Sequence, residues 1–134
     1  MGLLGGKRPQ GLGFHDGKFK PCPWKPNCVN STSEVSDDQH HIAPFAIKGS
    51  ADAAWKQLVA AVRSRERVTV IKEEAGYICT EFKSRGLGYV DDVEFALDVK
   101  AGVIQVRSAS RLGVRDFGVN RARIESLRSA LAAA

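Results

Sequence analysis

The stretch from Tyr89 to Ser110 constrains the fold more than any other part of the chain. Tyr89, Val93, Phe95, Leu97 and Val99 fall on one side of an extended backbone, and Asp92, Glu94 and Asp98 on the other. Strict alternation with a period of two is the mark of a strand buried on one face. Lys100-Ala101-Gly102 then turns the chain, and Val103–Ser110 returns. If Phe95 and Leu97 share a face with Ile104 and Val106, Leu97 pairs with Ile104, Phe95 with Val106 and Glu94 with Arg107. A shift by two residues instead sets Asp92 opposite Arg111. A slip of one residue sends the apolar sets to opposite faces, which excludes it. Either way Asp92, Glu94, Arg107 and Arg111 form a charge network on the face away from the helices. Each exposed cross-strand pair there is worth roughly 0.2–1 kcal/mol.

The rest of the pattern is compatible with that hairpin. Residues 1–40 hold Pro9, Pro21, Pro23 and Pro26 among many glycines. They are expected to form an irregular N-terminal arm packed on the domain. Residues 41–134 carry the regular periods. Ile42–Ile47 is an edge-strand candidate, because Pro44 lacks an N–H. Ser50 can cap a helix, with Asp52 in its first turn and Trp55, Leu58, Val59 and Val62 on one face. Val68–Lys72 and Tyr77–Lys83 are strands, and Ser84–Gly88 and Gly113–Gly118 are loops. Asn120 can cap a last helix that turns Ile124, Leu127 and Leu131 inward. The expected class is α+β: a curved antiparallel sheet of about five strands with two helices on one face, in the order β-α-β-β-β-β-α. A length of 134 residues suits one domain.

Charge narrows the partners only slightly. The formal net charge is +5, which biases the surface toward anions. The basic residues are dispersed, six against four acidic before residue 49 and fourteen against eleven after it. Aromatic residues do not interleave with them as single-strand binders require, so nucleic acid is not the expected partner. No apolar run reaches the length of a membrane span. The segment MGLLGGKRPQGLG has no signal-peptide core, and Gly6 stands where a Gly2 myristoylation signal wants Ser or Thr. These features point to the cytoplasm, where the three cysteines would be free thiols.

Four groups of residues carry possible chemistry. Cys22 and Cys28 flank a proline-stiffened loop and form a possible redox pair, whose cysteines can join in a disulfide when oxidised. A zinc site would need His15, His40 or His41 at no recognisable spacing, so no metal is expected. Asp91, Asp92 and Glu94 could be a carboxylate cluster, but Asp91 points to the opposite face from the other two. With Glu125 they read as a structural ion-pair network, and Asp91 on the core face must find a donor. Arg107, Ser108, Ser110, Arg111, Asp116, Asn120, Arg121 and Arg123 read as an anion site. Guanidinium forks match carboxylate or phosphate oxygens, and a helix N-terminus offers free N–H groups. Ser108 and Ser110 have no histidine nearby in sequence, which argues against a serine nucleophile.

The segments Pro21-Cys22-Pro23-Trp24-Lys25-Pro26-Asn27-Cys28, Tyr89-Val90-Asp91-Asp92-Val93-Glu94-Phe95, Val106-Arg107-Ser108-Ala109-Ser110-Arg111-Leu112-Gly113 and Asp116-Phe117-Gly118-Val119-Asn120-Arg121 occur in that order. Together they resemble the family catalogued as domain of unknown function 1499, over about residues 18–131. The resemblance implies no reaction, substrate or cofactor. Some of those relatives look exported or organellar, and this chain differs in its lack of an export signal. On the residues alone, the expected function is a non-catalytic binding module for a small anionic or amphipathic ligand, with no cofactor. The alternatives are an enzyme using Asp91, Asp92 or Glu94 with Arg107 and Arg111, or a structural or redox-responsive interaction protein.

Overall fold

The hairpin lies at the heart of the main sheet. In the computed structural model, which describes residues 5–133, strands β7 (Val90–Asp98) and β8 (Val103–Ser110) run antiparallel. Glu94 lies opposite Arg107, Phe95 opposite Val106 and Leu97 opposite Ile104. This is the first of the two registers that keep the apolar faces matched. Asp92 lies opposite Ala109, so Arg111 reaches it from a diagonal position. Residues 1–4 and 134, and with them the Gly2 reading, lie outside the described part.

β6 (Tyr77–Lys83) pairs with β7, and β5 (Val68–Glu74) pairs with β6 with an irregularity between Val70 and Lys72. Helix α1 (Ala51–Arg63) and helix α2 (Val119–Ala133) pack on the apolar face. Ser50 caps α1, its Oγ accepting from the Ala53 N–H at 3.1 Å. Leu58 and Val62 of α1, Ile124 and Leu127 of α2, and Ile78, Val93, Phe95 and Val106 of the sheet are all fully buried. Each such side chain contributes roughly 1.5–3 kcal/mol.

The N-terminal arm contains more regular structure than its glycines and prolines suggest. β1 (Phe14–His15) and β2 (Lys18–Phe19) form a small hairpin. Asp16 and Gly17 both have positive φ at its tip, as a tight hairpin turn requires. β3 (Cys28–Asn30) joins the main sheet as a sixth strand, antiparallel to β8. β4 (Phe45–Ala46) covers the other end of β8. Both strands satisfy backbone groups that an open edge would leave bare. The edge strand expected over Ile42–Ile47 shrinks to two residues after Pro44. Tyr89 and Val99, expected on the core face, fall outside β7 and are 41% and 69% exposed.

Candidate functional site

Alternation also decides what gathers on the face away from the helices. β6 sends Tyr77, Cys79 and Glu81 there, opposite Ala96, Glu94 and Asp92 of β7. β8 adds Arg107, with Arg111 just beyond its end, and β3 adds Cys28 and Asn30. The expected network of Asp92, Glu94, Arg107 and Arg111 is therefore assembled. It is not a solvated surface network, because the N-terminal arm lies across it. Glu94 is 0% exposed, Asp92 2% and Arg107 4%.

The arm is tied down by the charged groups it covers. The Gly13 N–H donates to Glu94 Oε2 at 2.8 Å, and the Tyr77 hydroxyl donates to the same oxygen at 2.6 Å. Arg107 Nε donates to the Lys20 carbonyl at 2.8 Å and Nη2 to that of Pro21 at 3.4 Å. Arg111 grips Asp92 with Nε and Nη2 at 2.9 and 2.8 Å and reaches Glu81 at 2.5 Å. Arg8 of the arm meets Glu81 at 2.6 Å. Gly6 fits against this corner with φ +71, where a Cβ would come within 3.2 Å of the Arg111 Cβ.

The two ion pairs differ in quality. Asp92 holds the Arg111 guanidinium bidentately and raises its pKa. Glu94 and Arg107 approach only to 3.8 Å, and Glu94 Oε1 has no hydrogen-bond partner among the described residues. Burial pushes the Glu94 pKa up, against the opposing pull of Tyr77, Arg107 and the Gly13 N–H. Burial likewise lowers that of Arg107, though a guanidinium remains charged. Arg107 is therefore a buried cation with an incompletely compensating carboxyl. Glu81 would be raised by burial, but hydrogen bonds from Arg8 and Arg111 outweigh this and hold it low. Burial pushes the Cys79 thiol up to about 11, so it stays protonated.

A cleft of about 340 Å³ opens between the arm and this face. Its charged lining is Lys7, Lys20, Arg107, Arg111 and Asp92, and Cys22 forms part of its wall. A larger groove, about 940 Å³, lies between β1 and the β5–β6 turn. Asp52, Glu73 and Glu74 outnumber Lys72 there, which makes it a poor anion site.

The eight residues expected to form one anion site are split by the sheet. Arg107 and Arg111 face the arm, Ser110 borders the same cleft while its Oγ bonds Asn120, and the others lie on the helix side. Ser108 Oγ donates to Asn120 Oδ1 at 2.6 Å, and Asn120 Nδ2 donates to Ser110, Asp116 and the Asn27 carbonyl. Arg123 bonds Asp91 at 2.8 Å and also reaches Ser108 and Asn120, with its guanidinium over the Phe82 ring. Asp91 thus has the donor that its position demanded. Arg121 donates to the His41 carbonyl at 2.9 Å, and Glu125 pairs with Arg128 at 2.8 Å. The bonds of Asn120 and Arg123 lock α2 to the sheet, while the Glu125–Arg128 pair stays within the helix. Asn120 is not the cap of α2. Asp116 takes that role, accepting from the Gly118 and Asn120 N–H groups, while Asn120 turns inward and is fully buried.

Cys22 and Cys28 are joined by a disulfide, the oxidised form of the expected pair, in place of the free thiols expected for a cytoplasmic chain. Only Cys79 is a free cysteine among the described residues, and it is buried. His40, a notional zinc ligand, instead bonds Asp37 at 2.8 Å and the Lys25 carbonyl at 2.7 Å.

Sequence reasoning missed Lys7, Lys20, Glu81 and Tyr77. The two lysines reach the site only because the arm folds back. Glu81 and Tyr77 had a signal in the alternation Tyr77, Cys79, Glu81, which places all three on the face of Asp92 and Glu94. No helix among the described residues is long and apolar enough to cross a membrane.

No curated protein and no solved structure matches the chain. The model of one family does match, over residues 18–131. That span includes the covered face of the sheet, the disulfide loop and nearly all of α2, so the chain belongs to the family described as Protein of unknown function (DUF1499).

Proposed function

We propose that the protein is a non-catalytic binding module that takes a small anionic molecule into the cleft between the N-terminal arm and the sheet. The observation that carries this reading is the lining: four cationic side chains against one carboxylate, Asp92, which Arg111 already engages bidentately. Lys7 and Lys20 are exposed. Pro9, Pro21 and Pro23 give the rim an apolar part, which suits a ligand with a short hydrocarbon portion. Binding is favoured over turnover because Asp91 lies on the opposite face and Asp92 is held by its arginine. Residence in the cytoplasm belongs to the same proposal, and a disulfide there is transient and redox-responsive.

Isothermal titration of the intact, oxidised protein with sulfate, phosphate and small dicarboxylates tests the reading. Binding is expected to weaken at least about tenfold in a Lys7→Glu/Lys20→Glu variant and to fall as salt rises. Flat titrations with every anion would overturn it.

A further inference from the structure

We infer that the cleft is a site of thiol–disulfide exchange, at which a small anionic thiol attacks Cys22. This deepens the preceding reading and rests on its cationic cleft. Of the two bridged sulfurs, only one is open to attack. Cys22 is partly exposed and lines the cleft, whereas Cys28 is 0% exposed. An incoming thiolate therefore meets Cys22, and Cys28 is the leaving group.

The register of β3 favours that departure. Cys28 lies opposite Ala109, and cross-strand partners share a face. Arg107 and Arg111 are two residues before and after Ala109 on that same face. The Cys28 thiolate would form on the side of the Arg107 guanidinium, which reaches the Pro21 carbonyl next to Cys22, while Arg111 turns toward Asp92 and Glu81. Thiolates near cations leave faster because their pKa is lower. Lys7 and Lys20 at the cleft raise the local concentration of an anionic attacker.

The chemistry balances with two equivalents of thiol. The first thiolate forms a bond to Cys22 Sγ, the Cys22–Cys28 bond breaks, and its electron pair stays on Cys28. A second thiolate attacks the small molecule's sulfur in the mixed disulfide and releases the Cys22 thiolate. Two small thiols are oxidised to one disulfide, and the protein bridge is reduced to two thiols.

The test compares reduction of the intact oxidised protein by 2-mercaptoethanesulfonate, 2-mercaptoethanol and cysteamine at low salt. Each rate is divided by thiolate concentration and by the rate for the urea-unfolded oxidised chain. The anionic thiol is expected to exceed the cationic one about tenfold, and high salt or the Lys7→Glu/Lys20→Glu variant should abolish the preference. Mass spectrometry of the trapped intermediate should place the adduct on Cys22. Absence of a charge preference, or an adduct on Cys28, would overturn the inference. Sulfate titration of the same sample separates the two readings. Sulfate binding without thiol selectivity defeats only the exchange site. Selectivity without sulfate binding defeats only the binding module.

Discussion

Replacing Arg111 by Met should be among the most damaging single changes on the covered face. The methionine retains most of the stem and removes the guanidinium. Arg111 and Asp92 side chains are 6% and 3% exposed. Among the described residues, Asp92 accepts side-chain hydrogen bonds only from Arg111, at 2.9 and 2.8 Å. The variant therefore strands a carboxylate away from water, which costs about 3–5 kcal/mol. Glu81 loses less, because Arg8 still meets it at 2.6 Å near the surface. With a urea slope of about 2 kcal/mol per molar, the unfolding midpoint should fall by about 2 M. Asp92→Asn in the same background removes the stranded charge and should restore about 1–3 kcal/mol. That sign is decisive, since a mutation that harms the parent must help the variant. If Arg111→Met loses less than about 1 kcal/mol, or Asp92→Asn adds its full cost in both backgrounds, the ion pair is not what holds this corner.

Three further outcomes follow from the geometry. Glu94 has a raised pKa in the folded state because of burial. The native chain thus holds that proton more tightly than the unfolded chain, and stability falls as pH rises from the ordinary carboxylate range through the folded value. Glu94→Gln should lack that slope, so the parent's urea midpoint should fall relative to the variant's as pH rises above the ordinary carboxylate range; a difference independent of pH would remove the argument. Cys22→Ser/Cys28→Ser opens a loop with a sequence separation of 6, and loop entropy sets the loss at about 2 kcal/mol; an unchanged urea midpoint would refute it. Asp116→Ala removes the acceptor for the Gly118 and Asn120 N–H groups and should cost about 1 kcal/mol in thermal or urea unfolding, as lost helix caps do, whereas Arg115→Ala, which lacks that role, should cost less.

The central hairpin was legible because its information is local and redundant. Phe95 and Leu97 against Ile104 and Val106 set the register, and Glu94 against Arg107 agrees with it. The Ser50 cap and the apolar stripe of α1 were equally plain, since a cap and a period of 3.6 residues are short-range properties. The strand Cys28–Asn30 was not legible, because three residues show no period. Asn120 misled as a cap, since its buried side chain serves Ser108, Ser110 and Asn27 rather than the helix end.

The candidate site divides along the same line. The residue pattern alone put Asp92, Glu94, Arg107 and Arg111 on one face, because strand alternation leaves no other arrangement with a buried apolar side. It also brought Arg107 and Arg123 close along the chain, yet the sheet puts them on opposite sides. That the charged face is dry and that Lys7 and Lys20 join it came from long-range packing alone. Those facts depend on an arm of glycines and prolines folding back over residues some eighty positions away. Burial of a charge is a property of what covers it, and a local pattern carries no record of its cover.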